Sequence, residues 1–461
     1  MNIDRETALL LPPDLRDWVP ADHLVHFVID AVEQLDVGTA RVNDRGTGSE
    51  QYPPRMLLGL LIYSYATGVF SSRQIERATH ENVAVRLLCA DTHPDHDTLC
   101  AFRRENAVLL GACFAQVLEL AAGCGVLKVG GITVAIDGTK ILANASRHSA
   151  VSYEHADKTM RQLDIEIAEL LRKAENADAV PLNDGLTIPQ EVQRRVDRKA
   201  QLAKARAEME ARAYARFAAS RQEHEARLAE RKTKAAAGED PGRRPHGPHG
   251  PSGPTPEAKE QYNFTDPESR IMITRGMHFE QAYNAQAAVE VDSRLIVGQR
   301  VTNITNDLRQ LVPTVRAIEP CVGAVKEVLV DSGFVSEAAV KTLEMNETGQ
   351  PSGLIVLAPR KREPHGRNVT QLERRQDPPA PAAGAPFAER MLHRTATAAG
   401  QLRYKLRQQT VEPTFGIIKE VLGFRRFSMR GESKAVLEWT LVSLAFNLKR
   451  LHRLGADLNL A

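Results

Sequence analysis

Ile132-Thr133-Val134-Ala135-Ile136-Asp137-Gly138-Thr139-Lys140-Ile141-Leu142 is the stretch that decides the fold. Ile132, Val134 and Ile136 alternate with small or polar residues, which is the period of a strand with one buried face. Asp137-Gly138 is a turn dipeptide and Lys140-Ile141-Leu142 resumes the apolar pattern, so the sequence predicts strand, tight turn, strand. The aspartate therefore falls at the end of the first strand.

On the N-terminal side the period changes to that of helices. Pro53-Pro54 suits a first turn, and Met56, Leu57, Leu60, Leu61 and Tyr63 follow on one stripe until Gly68. Ser71 with Gln74 reads as a capping box, and Asp97-Thr98 as the cap of a helix through Phe102, Leu109 and Leu110. Short helices joined by tight turns suggest a helix-turn-helix-like all-α domain over residues 1–125. Arg103 and Arg104 would then project from the start of a DNA-reading helix, or form an ordinary solvated basic face. Cys89, His93, His96 and Cys100 could in principle ligate zinc, although their compact spacing fits cysteines packed on apolar helix faces better.

On the C-terminal side, residues 153–236 are again helical and nearly balanced in charge, as in a solvated hairpin or coiled-coil arm, with a polar break near 176–189. Residues 238–256, with Gly242-Arg243-Arg244-Pro245-His246-Gly247-Pro248, form a linker by composition. Beyond it, Tyr283 to Val291 and Arg294 to Thr302 read as a hairpin about Asp292-Ser293. A helix over 307–318 comes next, then a buried strand, Val328-Leu329-Val330, that ends at Asp331. Ser336 caps another helix, Leu354 to Leu357 is a strand, and residues 364–386 are too rich in Pro and Arg for packed structure. The chain closes with helices from Tyr404 onward, the last spanning 437–454 with Trp439 and Phe446.

The 461 residues carry 60 Lys+Arg against 58 Asp+Glu, and 43% are apolar, which suits several globular domains and excludes wholesale disorder. No run is long and apolar enough to span a membrane, the N-terminus is acidic where a signal peptide would be basic, and the five cysteines make no CxxC pair. A cytoplasmic protein without membrane partners is expected.

With residues 151–258 set aside as a helical insertion with its linker, the order is strand, strand, strand, helix, strand, helix, strand, helix. That is the order of an RNase H-like α/β fold, a mixed sheet with flanking helices, begun by residues 130–150 and completed by 259–461. Asp137, Asp331 and Glu412 fall where such a fold places metal ligands. Any one acid among so many carries little information; the order of all three does. Three hard oxygen ligands suit Mg²⁺ or Mn²⁺, and a pair of such ions supports in-line phosphoryl displacement.

These residues also carry a resemblance. Tyr52-Pro53-Pro54-Arg55-Met56-Leu57-Leu58, Pro94-Asp95-His96-Asp97-Thr98-Leu99, Val134 to Lys140, Thr265-Asp266-Pro267-Glu268-Ser269-Arg270, Tyr283-Asn284-Ala285-Gln286, Asn306-Asp307, Asp331-Ser332-Gly333-Phe334, Val411 to Lys419 and Gly423-Phe424-Arg425-Arg426-Phe427 occur in one order. The set resembles the DDE transposases of the IS4/IS5 superfamily of bacterial insertion sequences, most closely the IS1182 family. The resemblance implies a catalytic and metal-binding triad of Asp137, Asp331 and Glu412. It also places the superfamily's Tyr-Arg-Glu-Lys signature on Tyr404, Arg407, Glu412 and Lys419, with one residue more than the commonest form between Arg407 and Glu412. Glu412 and Lys419, seven apart, would share a helix face, with Lys419 on a DNA phosphate, while Pro413 would begin or kink the helix. Arg425 and Arg426 would lie near DNA; alternatively Phe424 and Phe427 are core and the arginines are merely solvated. The activity implied is cleavage at the terminal inverted repeats and transfer of the freed 3′-OH to target DNA, by a homodimer that joins two ends. A metal nuclease of the same fold and a non-catalytic DNA-binding derivative are the rival readings.

Overall fold

The computed structural model describes residues 14–41, 51–176, 188–236, 238, 247, 255–274, 278–346, 348–359, 377–382 and 384–458. Most of the 176–189 break, nearly all of the 238–256 linker and residues 364–376 of the Pro/Arg-rich segment lie outside them. The chain divides into two compact units, 1–144 with 272–461, and 145–271.

In the first unit, helices α1 (Leu24–Gln34), α2 (Pro54–Ala66), α3 (Ser72–Glu81), α4 (Val83–Leu88), α5 (His96–Glu105) and α6 (Ala107–Gly123) precede β1 (Ile132–Leu142). Pro53 and Pro54 open α2 as expected of residues that need no helical N–H. Two caps differ from expectation. Ser71 stands at the N-cap of α3 without a side-chain bond, and Asp95 rather than Asp97 caps α5, its carboxylate accepting the Thr98 N–H at 2.6 Å.

Strand β1 runs unbroken through Asp137-Gly138, where a turn was expected. Gly138 faces Gln286 across the ladder, and a Cβ added there would lie 2.3 Å from Gln286 Nε2 and 2.9 Å from both Asn284 Oδ1 and Asp307 Oδ1. The glycine is there for a close approach, the other reason a strand carries one.

The second unit begins with β2 (Ala150–Ser152), α7 (Tyr153–Asn176) and α8 (Ile188–Ala236), followed by β3 (Gln261–Asn263), antiparallel to β2. Its core is Val151, Ala156, Leu163, Leu202, Ala205, Met209 and Tyr262. Ion pairs such as Arg195–Glu166 and Arg206–Asp157 link α7 to α8, so the near balance of charge is spent within the hairpin.

Strands β4 (Arg270–Ile273), β5 (Phe279–Glu290), β6 (Ile296–Thr302), β7 (Val325–Leu329) and β8 (Ile355–Leu357) complete the sheet, ordered β4-β5-β1-β7-β8 with β6 also on β5. β1 and β6 run antiparallel to β5, whereas β7 is parallel to β1 and β8 to β7. The expected helix over 307–318 is only α9 (Leu311–Arg316). Ser336 caps α10 (Glu337–Glu344) as expected, its hydroxyl accepting the Ala339 N–H. Helices α11 (Phe387–Ala396), α12 (Ala398–Gly416) and α13 (Glu432–Arg453) follow. The unit is thus mixed α/β.

Helix α13 is buried along most of its length because it packs on the sheet and on the N-terminal helices at once. Trp439 Nε1 donates to the Gln286 carbonyl at 3.0 Å, and the Asn447 amide pairs with both backbone groups of Ile296 at 2.8 Å. The N-terminal helices therefore share one core with the sheet that carries Asp137.

Candidate active site

Helix α12 links two of the carboxylates. It packs on β1, and its residue Arg407, only 7% exposed, reaches both. Arg407 Nη2 donates to Asp137 Oδ2 at 2.9 Å and Nη1 to Glu412 Oε1 at 3.5 Å. Asp331 follows β7, the parallel neighbour of β1, and its carboxylate caps the short turn Ser332–Phe334 by accepting the Ser332 N–H at 2.8 Å.

The electrostatics tie the group together. Burial pushes the Asp137 carboxyl up to about 6; the Arg407 guanidinium and the Gly138 N–H, 2.8 Å from Oδ1, pull it down, and Asp307 and Asp331 push it further up. Burial likewise pushes the Tyr404 hydroxyl up to about 12, opposed by Arg407 and reinforced by Asp331, Asp137 and Glu412. Asp137, Asp331 and Glu412 therefore all act on one tyrosine, which stays a hydrogen-bond donor at neutral pH.

Helix α12 continues through Pro413, where a start or kink was expected, with Glu412 inside it. Pro413 removes one N–H and the helix absorbs the loss locally. Immediately after Gly416 the chain widens into a π turn, Ile417–Val421. An i→i+5 turn changes the angular step per residue, so a seven-residue spacing across it is not the two regular turns that would align Glu412 with Lys419. The Lys419 ammonium donates to the Lys140 carbonyl at 3.0 Å, which ties the π turn to the end of β1.

Residues 425–427 run beside that same end: the Leu142 N–H donates to the Arg425 carbonyl, and the Phe427 N–H to that of Leu142. Arg425 and Arg426 are exposed, and Arg425 pairs with Glu420. Phe424 and Phe427 are core, in ring contact with each other and with Tyr65, Phe70, Trp439 and Tyr283.

Arg103 requires a correction, because it does not project toward DNA. It is 5% exposed and donates to the Tyr65 hydroxyl at 2.6 Å and the Phe70 carbonyl at 3.1 Å, with Glu438 of α13 4.0 Å away. A charge buried this deeply needs such partners, and they hold it inside. Arg104, the next residue, is exposed and pairs with Glu105. The possible zinc ligands point to separate partners: His93 to Thr79, His96 to Glu76, Cys100 to Ser72, while burial pushes the Cys89 thiol up to about 12.

Among the described residues, no three His, Cys, Asp or Glu side chains stand close enough to hold one metal ion. The donor set nonetheless has the right chemistry. Asp137 is a desolvated carboxylate facing further acids, which favours a bound cation, and in this structure the cation between Asp137 and Glu412 is the Arg407 guanidinium, whose Nε is buried without a hydrogen-bond partner.

Asn284, Gln286 and Asp307 belong to two of the blocks that carry the resemblance, but the sequence assigned them no role and did not show that they meet beside Gly138. Asn284 Nδ2 and Gln286 Nε2 donate to Asp307 Oδ1 at 2.7 and 2.9 Å, with Lys140 Nζ 3.5 Å from the same oxygen. The available signal was two long amides on one face of an otherwise apolar strand.

Comparison with known proteins gives two family matches. Residues 13–105 match the transposase domain of unknown function DUF772, and residues 382–452 match the transposase DDE domain. The second match contains Tyr404, Arg407, Glu412 and Lys419. No curated protein and no solved structure matches the chain. Two transposase domains matched on one chain support a DDE transposase. The pairing is typical of the IS1182 family.

Proposed function

We propose that the chain cuts the phosphodiester backbone at the terminal inverted repeats of its own insertion element and joins the freed 3′-OH to target DNA. The observation that supports this reading is the bridge Arg407 makes between Asp137 and Glu412, with Asp331 near enough to act on both Asp137 and Tyr404 through its charge. Support also comes from the strand order, in which β6, β5 and β1 form an antiparallel meander and β7 and β8 extend it in parallel. We take this as an RNase H-like core.

In this reading Asp137, Asp331 and Glu412 would hold divalent cations, Mg²⁺ or Mn²⁺, beside the Arg407 guanidinium that pairs with the first and third. Such ions supply activation of the attacking oxygen and stabilisation of the leaving one. The chain's own groups do the rest. Arg407 offers its planar fork to a DNA phosphate, and Tyr404, protonated at neutral pH, donates to a phosphate oxygen. Lys419, Arg425 and Arg426 gather cationic groups where β1 ends, and Arg104 is the exposed basic residue of the N-terminal pair. A homodimer follows from the need to hold two ends together.

The test is incubation of the protein with labelled end DNA, an unlabelled target and Mg²⁺. Nicked ends and joined products are expected. Nicks without joining would make the protein a nuclease, and binding without nicks a non-catalytic derivative. Asp137→Ala, Asp331→Ala and Glu412→Ala should each abolish cleavage and leave end binding within about threefold. Cleavage at near wild-type rate in any of them removes that residue from the triad.

A further inference from the structure

The polar group beneath Gly138 lies next to the site but is not part of the triad. In the β1–β5 ladder Gly138 stands opposite Gln286, and Lys140 opposite Asn284, so these four positions share one sheet face while Asp137 points to the other. Asn284 and Gln286 are fully buried, and Asp307 Oδ1 is the acceptor they share. Asn284 Oδ1, Gln286 Oε1 and Lys140 Nζ are buried without further hydrogen-bond partners. Packing of this kind is a poor way to stabilise a sheet, because apolar side chains of the same volume would leave nothing unsatisfied.

Two features connect it to the chemistry. First, the absence of a Cβ at Gly138 is what lets Gln286, Asn284 and Asp307 close on the strand at that point. Second, the Gly138 N–H, held in place by that packing, is the backbone donor to Asp137 Oδ1. The amide that aims the Asp137 carboxylate is thus fixed from below by a network centred on one carboxylate, which also adds negative charge behind Asp137.

We propose that Asp307 is a positioning residue for the metal-binding carboxylate Asp137, acting through Asn284, Gln286, Lys140 and the Gly138 amide. The inference rests on the reading of Asp137 as a cation ligand. Outer partners that orient a ligand change metal affinity by roughly 10–100-fold when removed, because the carboxylate loses its aim and not its chemistry. Asp307→Asn keeps the size and one acceptor oxygen but removes the charge that Lys140 faces. Gly138→Ala keeps every charge and forces a Cβ against Gln286 Nε2.

The experiment measures Mn²⁺ affinity by electron paramagnetic resonance of the free ion, cleavage of end DNA, end-DNA affinity and melting temperature, for the full chain and both variants. Both variants should bind Mn²⁺ roughly tenfold or more weakly and lose cleavage to a similar degree, with end-DNA affinity within about twofold of wild type. If Asp307→Asn fails to fold, Gly138→Ala, which leaves no charge unpaired, decides alone. Wild-type Mn²⁺ affinity in a folded variant overturns the proposal. If the wild-type protein binds Mn²⁺ but does not cut DNA, the transposition reading fails, and the affinities still decide the role of Asp307.

Discussion

Replacing Asp137 by Asn should change how stability depends on pH, and the size of the change follows from the site. Burial raises the Asp137 carboxyl from an ordinary value of 3.8 to about 6. Between those values the unfolded chain releases this proton and the folded chain keeps it. The group's contribution to stability is therefore fully present below pH 3.8 and lost as pH rises through about 6. At 1.36 kcal/mol per unit, the loss amounts to about 3 kcal/mol. Thermal or urea denaturation of wild type and Asp137→Asn across pH 4 to 8, without divalent ions, should show the wild type losing about that much relative to the variant. The absolute offset between the two curves also contains the broken Arg407 ion pair, so the informative quantity is the slope of their difference. Groups titrating identically in both proteins cancel from it. Adding Mg²⁺ at neutral pH should then restore stability to the wild type and not to the variant, because the ion binds the ionised carboxylate. Parallel curves with the same pH slope would refute the claim that Asp137 is held desolvated among other acids.

Two further substitutions separate structural from functional arginines. Arg103→Ala should lower stability by about 3–5 kcal/mol, because it leaves the buried Glu438 charge with its hydrogen bonds but without the Arg103 cation, and denaturation measures it; a variant that folds normally and loses DNA binding would return Arg103 to the DNA surface. Arg407→Gln should abolish cleavage without weakening Mn²⁺ binding, since the guanidinium now sits between the carboxylates that would take the ion. Weaker Mn²⁺ binding in that variant would mean that Arg407 organises the acids instead of standing in for the ion.

The elements of the sheet were legible because burial leaves a period in the chain: Ile132, Val134 and Ile136 mark β1, and Val328 to Val330 lead to Asp331 whatever else surrounds them. What the period cannot supply is the partner. Gly138 looked like a turn because a turn and a close approach call for the same residue, and only Gln286 and Asp307, far along the chain, distinguish the two. Arg103 and Arg104 are neighbours about 100° apart on a helix, so at most one of them faces out squarely, and the choice is made by Tyr65 and Glu438 on other helices. The expected alignment of Lys419 with Glu412 assumed a regular helix, and nothing in Ile417-Ile418-Lys419-Glu420-Val421 announces a π turn.

The same limit governs the site. Asp137, Asp331 and Glu412 could be named from their order along the chain; Asp331 does follow β7 and Glu412 does lie on a helix, whereas Asp137 sits within β1 and not at its end as expected. Whether they close on an ion is a different question, settled by charge balance at one point in space. A desolvated carboxylate such as Asp137, facing other acids, calls for a cation, and α12 carries its own in Arg407, five residues before Glu412. In the structure that cation reaches both carboxylates with one planar group, a geometry that a lysine's single ammonium would not reproduce. The arginine therefore balances the charge of both acids while no metal is bound, and the same side chain is in place to take a phosphate. On this view the protein needs Arg407 twice, so a lysine there should fail at the first role even if its charge could serve the second.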